Sequence, residues 1–189
     1  MSKGREKPSL VTISRELIHT SESNLLFKEL TVGSDRACAI VGAAIVDQVL
    51  VFQLHGAMRE LTRTEFLELF FASRAILQTM AARIDIAYAL QLNDRKETNQ
   101  LHSVRRIRNA FAHAARPISF EHDLVKKECA KLSHNYIADD ASLAGLAESR
   151  RRYTGICIGT FGHFHKRQDI PHYNTTVEYL KSLDSAPPA

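Results

Sequence analysis

The sequence predicts an all-α protein, a single-domain bundle of about seven helices. Apolar residues recur at helical spacing in segment after segment, Ser, Thr and Asp residues stand where helix caps belong, and no run alternates strictly enough, or with enough turn residues, to force a sheet. The chain has 189 residues, 44% hydrophobic and 24% charged, enough for one domain with a real core and too few for two full ones.

Residues 1–9 are polar and basic and read as disordered, with no apolar stretch of a secretory signal behind them. Thr20, Ser21 and Ser23 offer caps ahead of the short apolar stretch Leu25 to Leu30, which Gly33 can close. Ser34 caps the next segment. From Arg36 to His55 there is no Pro and apolar residues fall on nearly every face, so this reads as a buried central helix with its stop at Gly56. Thr62 or Thr64 caps a short helix from Glu65 to Ala72. Ser73 starts another to about Leu92, with Ile76, Leu77, Met80, Ile84, Ala87 and Leu90 as its stripe. After a polar stretch at 93–99 a helix runs to about Ala115, with Leu101, Val104, Ile107 and Phe111 on one face, and Pro117 ends it. Ser119 caps the next, through Leu132. Asp139 to Gln168 reads as a long helix, although alternation in Tyr153 to Phe161 also allows a hairpin. A last short helix spans Thr176 to Leu183. The domain is expected over residues 10–185.

Composition narrows the function classes. Cys38, Cys129 and Cys157 are far apart and form no CxxC pair, which argues against a disulfide framework and for a reducing, cytoplasmic setting. The longest uninterrupted apolar run, Ala37 to Val46, is half of what a membrane span needs, so no membrane partner is expected. Acidic and basic residues balance over 1–100, and the whole excess of +4 lies in 101–189. No nucleotide-binding, metalloprotease or nucleophile-elbow pattern occurs. His163 and His165, with His172 and Cys157 nearby, hint at a metal, but the first two point about 160° apart on a helix, so no metal or other cofactor is expected.

The informative stretch is Arg105 to His113. On a helix His102, Arg106, Asn109 and His113 share the face opposite Val104, Ile107 and Phe111, whereas Arg108 lies near the apolar edge, about 140° from His113. The two heads meet only if the helix ends or kinks, or if a second chain brings its own copy. A cluster of this kind is commonly a solvated face. Brought together, an imidazole that shuttles a proton and an Arg and Asn that steady a pentacoordinate phosphate suffice for metal-free RNA cleavage through the 2′-hydroxyl. Asp47 sits alone among apolar residues in the greasiest helix and wants an Arg, either Arg83 or Arg108, as a core ion pair or as a device that positions Arg108. Arg105, Arg106, Arg150, Arg151 and Arg152 are candidate phosphate contacts or a solvated face.

Two family patterns come into view. Arg108-Asn109-x-x-x-His113 is similar to the Arg-x4–6-His signature of the HEPN superfamily. More closely, four ordered segments resemble the mannitol operon repressor-like family: Asp35 to Ala44, Ala82 to Leu90, Ile107 to His113, and Ile118 to Phe120, within a core of about residues 34–135. The second resemblance implies an all-helical fold and a regulatory role, described as repression of a sugar-alcohol operon. The first implies a symmetric homodimer in which Arg108, Asn109 and His113 of two chains meet in one cleft and cleave RNA. No segment pair reads as a helix-turn-helix with a base-reading surface. Three alternatives stand: regulation through a protein or nucleic-acid contact, metal-independent RNA cleavage, and a purely helix-locking role for the three residues. The last ~55 residues have no counterpart in either resemblance.

Overall fold

The computed structural model describes residues 23–133 and 143–166, and among these the chain is all-α. Seven helices are present: α1 (Ser23–Val32), α2 (Asp35–Ala57), α3 (Arg63–Phe70), α4 (Met80–Ala89), α5 (Arg95–His113), α6 (Asp123–Cys129) and α7 (Glu148–Lys166). The expected disorder at 1–9 and the expected helix Thr176–Leu183 lie outside the described residues.

Helix α2 is the axis, and α1, α4, α5 and α7 all pack against it. Its length and hydropathy would pass for a membrane span, yet 67% of its most apolar stretch is buried inside the fold. Ser34 starts it as expected, its hydroxyl accepting from the Ala37 N–H at 3.1 Å. Gly56 does not stop it: that residue is buried in the final turn, and Met58 closes the helix. One apolar cluster runs from Leu30 through Val46, Leu54, Phe66, Ile84, Ile107 and Phe120 to Tyr153 and Cys157, with the α5 face Leu101, Val104, Ile107 and Phe111 wholly within it.

Three boundaries differ from the periodicity. The segment expected to be helical from Ser73 is a chain of turns until Thr79, whose hydroxyl caps α4 by accepting from the Ala82 N–H at 3.2 Å. Arg74 adopts φ 73°, a left-handed conformation that ends helical winding, and Ile76 is left 74% exposed. The cap ahead of α3 is Thr62, locked reciprocally with Glu65, and the helix ends at Phe70. Ser119 holds only a turn, accepting from the Glu121 N–H, so α6 begins after His122 and ends at Cys129, short of Leu132. Of the two readings of Tyr153 to Phe161, the helix is the one observed.

Gly42 marks where α2 and α7 come closest. A methyl group there would lie 2.9 Å from both Cys157 Sγ and Tyr153 Cε1. Tyr153 has little room to retreat, because its hydroxyl donates to the Ala39 carbonyl at 2.6 Å inside the core. Gly42→Ala is therefore expected to destabilise the protein by about 1–3 kcal/mol of overpacking, despite the better helix propensity of Ala, in chemical denaturation.

His55, on the last turn of α2, packs edge-on to Phe66 with ring centroids 5.2 Å apart. Burial pushes its pKa below the usual 6.5. Below pH 6.5 the unfolded chain takes up a proton that the folded chain refuses until the pH is lower still, so His55 lowers stability progressively as pH falls through that window. Urea midpoints at about pH 7.5 and about pH 5.5 should show a smaller acid loss for His55→Phe than for the parent protein.

Candidate functional site: the charged line from helix α4 to helix α5

Arg83, on α4, is the buried end of this line. Its side chain is only 5% exposed, and all three nitrogens donate: Nη1 to Asp47 Oδ2 at 2.5 Å, Nε to the Leu77 carbonyl at 2.7 Å and Nη2 to the Phe70 carbonyl at 3.1 Å. The rings of Phe70 and Phe71 lie 6.0 and 5.5 Å from the guanidinium carbon. Of the two partners expected for Asp47, Arg83 is the one that takes it.

Asp47 is two-thirds buried and projects from the middle of α2. Its Oδ1 is enclosed and has no hydrogen-bond partner among the described residues. Burial pushes its carboxyl above the usual carboxylate range, against the opposing pull of Arg83 and, more weakly, of Arg108. Arg108 thus stands within electrostatic reach of Asp47 without a direct bond to it. Its Nη1 instead donates to Asn109 Oδ1 at 3.1 Å, and the side chain is exposed.

His113 is the last residue of α5, exposed, with no hydrogen bond to its ring among the described residues. Arg36 covers the same helix end, Nη2 donating to the Ala114 carbonyl at 2.8 Å and complementing the negative end of the helix dipole. Helix α5 winds without interruption through His113, and Ala114 closes it. Arg108 and His113 therefore keep their separation of about 140° within one chain. Both face solvent, and a shared cleft requires a second copy.

The remaining basic candidates are largely engaged within the fold. Arg106 pairs with Glu128 at 2.7 Å and donates to Ser103 Oγ. Burial pushes the Glu128 carboxyl up, but hydrogen bonds from Lys131, Ser103 and Arg106 bring it below the usual range. Arg150 is turned inward: it donates to Asp35 Oδ1 and to the carbonyls of Leu30 and Gly33. Arg152 pairs with Glu148 and reaches the Leu132 carbonyl. Arg105 and Arg151 are half-buried, each with an enclosed Nε that has no partner among the described residues. The three consecutive arginines present no common face.

Asp35, whose sequence position suggests an ordinary capping or surface residue, is a hub. Its Oδ2 accepts from the Phe120 N–H at 3.0 Å while Oδ1 holds Arg150, so one carboxylate joins the α1–α2 junction, the α5–α6 connection and α7. Its place in the first turn of α2 is the only sequence signal, and that signal points to helix capping.

No group of three metal-ligating side chains exists among the described residues. Cys157 is fully buried, its thiol pushed well above the usual value by that burial, while the side chains of His165 and His172 lie outside the described residues. A cleft of about 440 Å3 between α6 and the start of α7 is lined by Glu121, Lys126, Ser149 and Arg152, and a smaller cavity of about 40 Å3 lies between α5 and α7. Neither is lined by Arg108, Asn109 or His113.

Fold and site together define an all-α bundle with an ion pair inside and an exposed Arg-Asn-x3-His segment at the end of one helix. No family model, no curated protein and no solved structure matches this chain.

Removing one partner of a buried pair leaves the other uncompensated, at about 3–5 kcal/mol. Arg83→Met should lose about 3–5 kcal/mol in urea denaturation by stranding Asp47 and two carbonyls, and Asp47→Asn, whose amide oxygen can still accept from Arg83 and which leaves both carbonyl bonds in place, should lose less. Equal small losses from both would show that the pair does not anchor the fold.

Proposed function

We propose that this chain is a non-enzymatic regulatory protein, similar to the mannitol operon repressor-like proteins, that acts in the cytoplasm as a homodimer by contact with a protein partner. The observation that carries the reading is the contrast along α5. Arg108 and His113 are exposed and make no bond to another helix among the described residues, whereas Arg106, Arg150 and Arg152 are committed to carboxylates or backbone carbonyls. Charges already paired offer little net gain for phosphate contact, since each would first give up its carboxylate. In a protein interface a few residues, arginine often among them, carry most of the binding energy, and the exposed groups at the end of α5 fit that part.

A second reading, metal-independent RNA cleavage of the HEPN type, is favoured by one specific observation. The imidazole of His113 is accessible and has no hydrogen bond among the described residues, and Arg108 is already in contact with Asn109. This reading demands the dimer, because one chain holds the two heads apart.

One experiment separates them. Wild type, Arg108→Ala and His113→Ala are incubated with mixed RNA in EDTA, and the same three are used as bait in cell lysate. The regulatory reading expects intact RNA and a specific partner retained by wild type but lost from the variants. RNA cleavage by wild type alone moves the assignment to the nuclease, and a partner retained equally by all three overturns the role given to α5.

A further inference from the structure

The cleft between α6 and the first turn of α7 carries chemistry that the proposed function does not use. Helix α7 begins there without a side-chain cap. Its first helical bond runs from the Arg151 N–H to the Ala147 carbonyl at 2.9 Å, and the Ala147 side chain has no oxygen to offer the amides ahead of that bond. The N–H groups of Ser149 and Arg150 have no acceptor among the described residues. At the same position α2, α3, α4 and α5 each carry a hydroxyl or a carboxylate. Ser149 supplies an independent second sign. It is the one buried residue of the cleft lining, 8% exposed, and its hydroxyl has no hydrogen-bond partner among the described residues. That oxygen is not sealed in: it keeps surface on the cleft that an occupant can reach.

A buried hydroxyl and uncapped amides at the positive end of a helix dipole suit an anionic oxygen group. The rest of the lining narrows its kind. Lys126 is paired with Glu121 at 2.7 Å and Arg152 with Glu148 at 2.7 Å, so the charged walls are neutral overall. A bare anion such as phosphate would face both carboxylates and gain a cation only by breaking a pair. Glu121 uses only Oε2 for Lys126, and its Oε1 has no partner among the described residues. The cleft therefore offers an acceptor for a cationic group beside donors for an anionic one. Ala130 and Ala147 complete the lining with methyl groups. The volume of about 440 Å3 is that of a small-molecule site.

We propose that this cleft binds a small zwitterion, a free α-amino acid, with its carboxylate on the Ser149 hydroxyl and the Ser149 and Arg150 N–H groups and its ammonium on Glu121. A ligand with no net charge matches walls with none, and both salt bridges stay intact. Arg108, Asn109 and His113 line no part of the cleft, so the proposal does not depend on the function proposed for them.

The probe is glycine, the smallest α-amino acid, titrated into the 15N-labelled full chain while backbone amide signals are followed by NMR. Acetate, methylammonium and inorganic phosphate at matched ionic strength are the comparisons. Glycine is expected to shift the Ser149 and Arg150 amides saturably, and each comparison, carrying only one of the two charges, to bind about tenfold more weakly or not at all. Ser149→Ala is expected to weaken glycine about tenfold with the helical circular dichroism intact. Glu121→Gln, at a side chain 55% exposed, keeps the test open should the first variant fail to fold. It is expected to weaken glycine while leaving acetate unchanged. Absence of a saturable shift with glycine, acetate or phosphate binding as tightly as glycine, or an unchanged glycine affinity in either folded variant overturns the proposal.

Discussion

A guanidinium taken out of water must be paired and hydrogen-bonded or the fold loses several kcal/mol. Arg83 answers with one bond from each of its three nitrogens, to one carboxylate and two carbonyls, and these come from three different parts of the chain. Asp47 is the midpoint of α2, Phe70 is the last residue of α3, and Leu77 sits in the turns between α3 and α4. Through this single side chain the end of α3 and the start of α4 are held at one place on the central helix. The turns at 71–79 can then be irregular and carry an exposed Ile76 without loosening α4. The same pair decides the surroundings of α5. Asp47 leaves one oxygen enclosed and unpaired among the described residues, within electrostatic reach of Arg108. The exposed arginine of the Arg-Asn-x3-His segment thus stands near a carboxyl group that is itself held from within.

A second lock works at the other end of the bundle. Asp35 and Arg150 bind the α1–α2 junction to α7 and take in the backbone at Phe120, just beyond the end of α5. Gly42 lets α2 and α7 approach until Tyr153 reaches the Ala39 carbonyl. Together with Arg36 on the Ala114 carbonyl, these contacts fix the direction in which α5 ends. His113 is thereby presented to solvent on a well-anchored helix terminus, while Arg150 and Arg152 of α7, which look available for phosphate in the sequence, are drawn into the frame.

Local periodicity and capping chemistry control the part of the fold that is legible in the sequence. The greasy segment around Asp47 had to be buried, Ser34 and Thr62 had to cap, and Val104, Ile107 and Phe111 had to face the core, because each depends on neighbours within a few residues. That Asp47 needs an arginine is also legible. The choice of Arg83 over Arg108 is not, since it depends on which helix lies against α2, a contact across 36 residues. The long helix expected from Ser73 fails for a related reason: Leu77 is buried at helical spacing, but Arg83 captures its carbonyl and Arg74 turns left-handed. The partnership of Arg150 with Asp35 is hidden because the two are 115 residues apart and each looks ordinary alone. In the candidate site the residue types are readable, while which of them stay free is a tertiary outcome.

Arg83 is a buried guanidinium bonded through all three of its nitrogens, whereas Arg108 is a solvated one at the surface. Guanidinium 1H–15N correlation spectra of the folded protein test this contrast directly. The Arg83 Nε–H is predicted to be sharp, shifted and slow to exchange with water, with resolved and hindered Nη groups, and the Arg108 signals to be averaged and fast. An Arg83 that exchanges as rapidly as Arg108 would contradict its role as the anchor of α3 and α4.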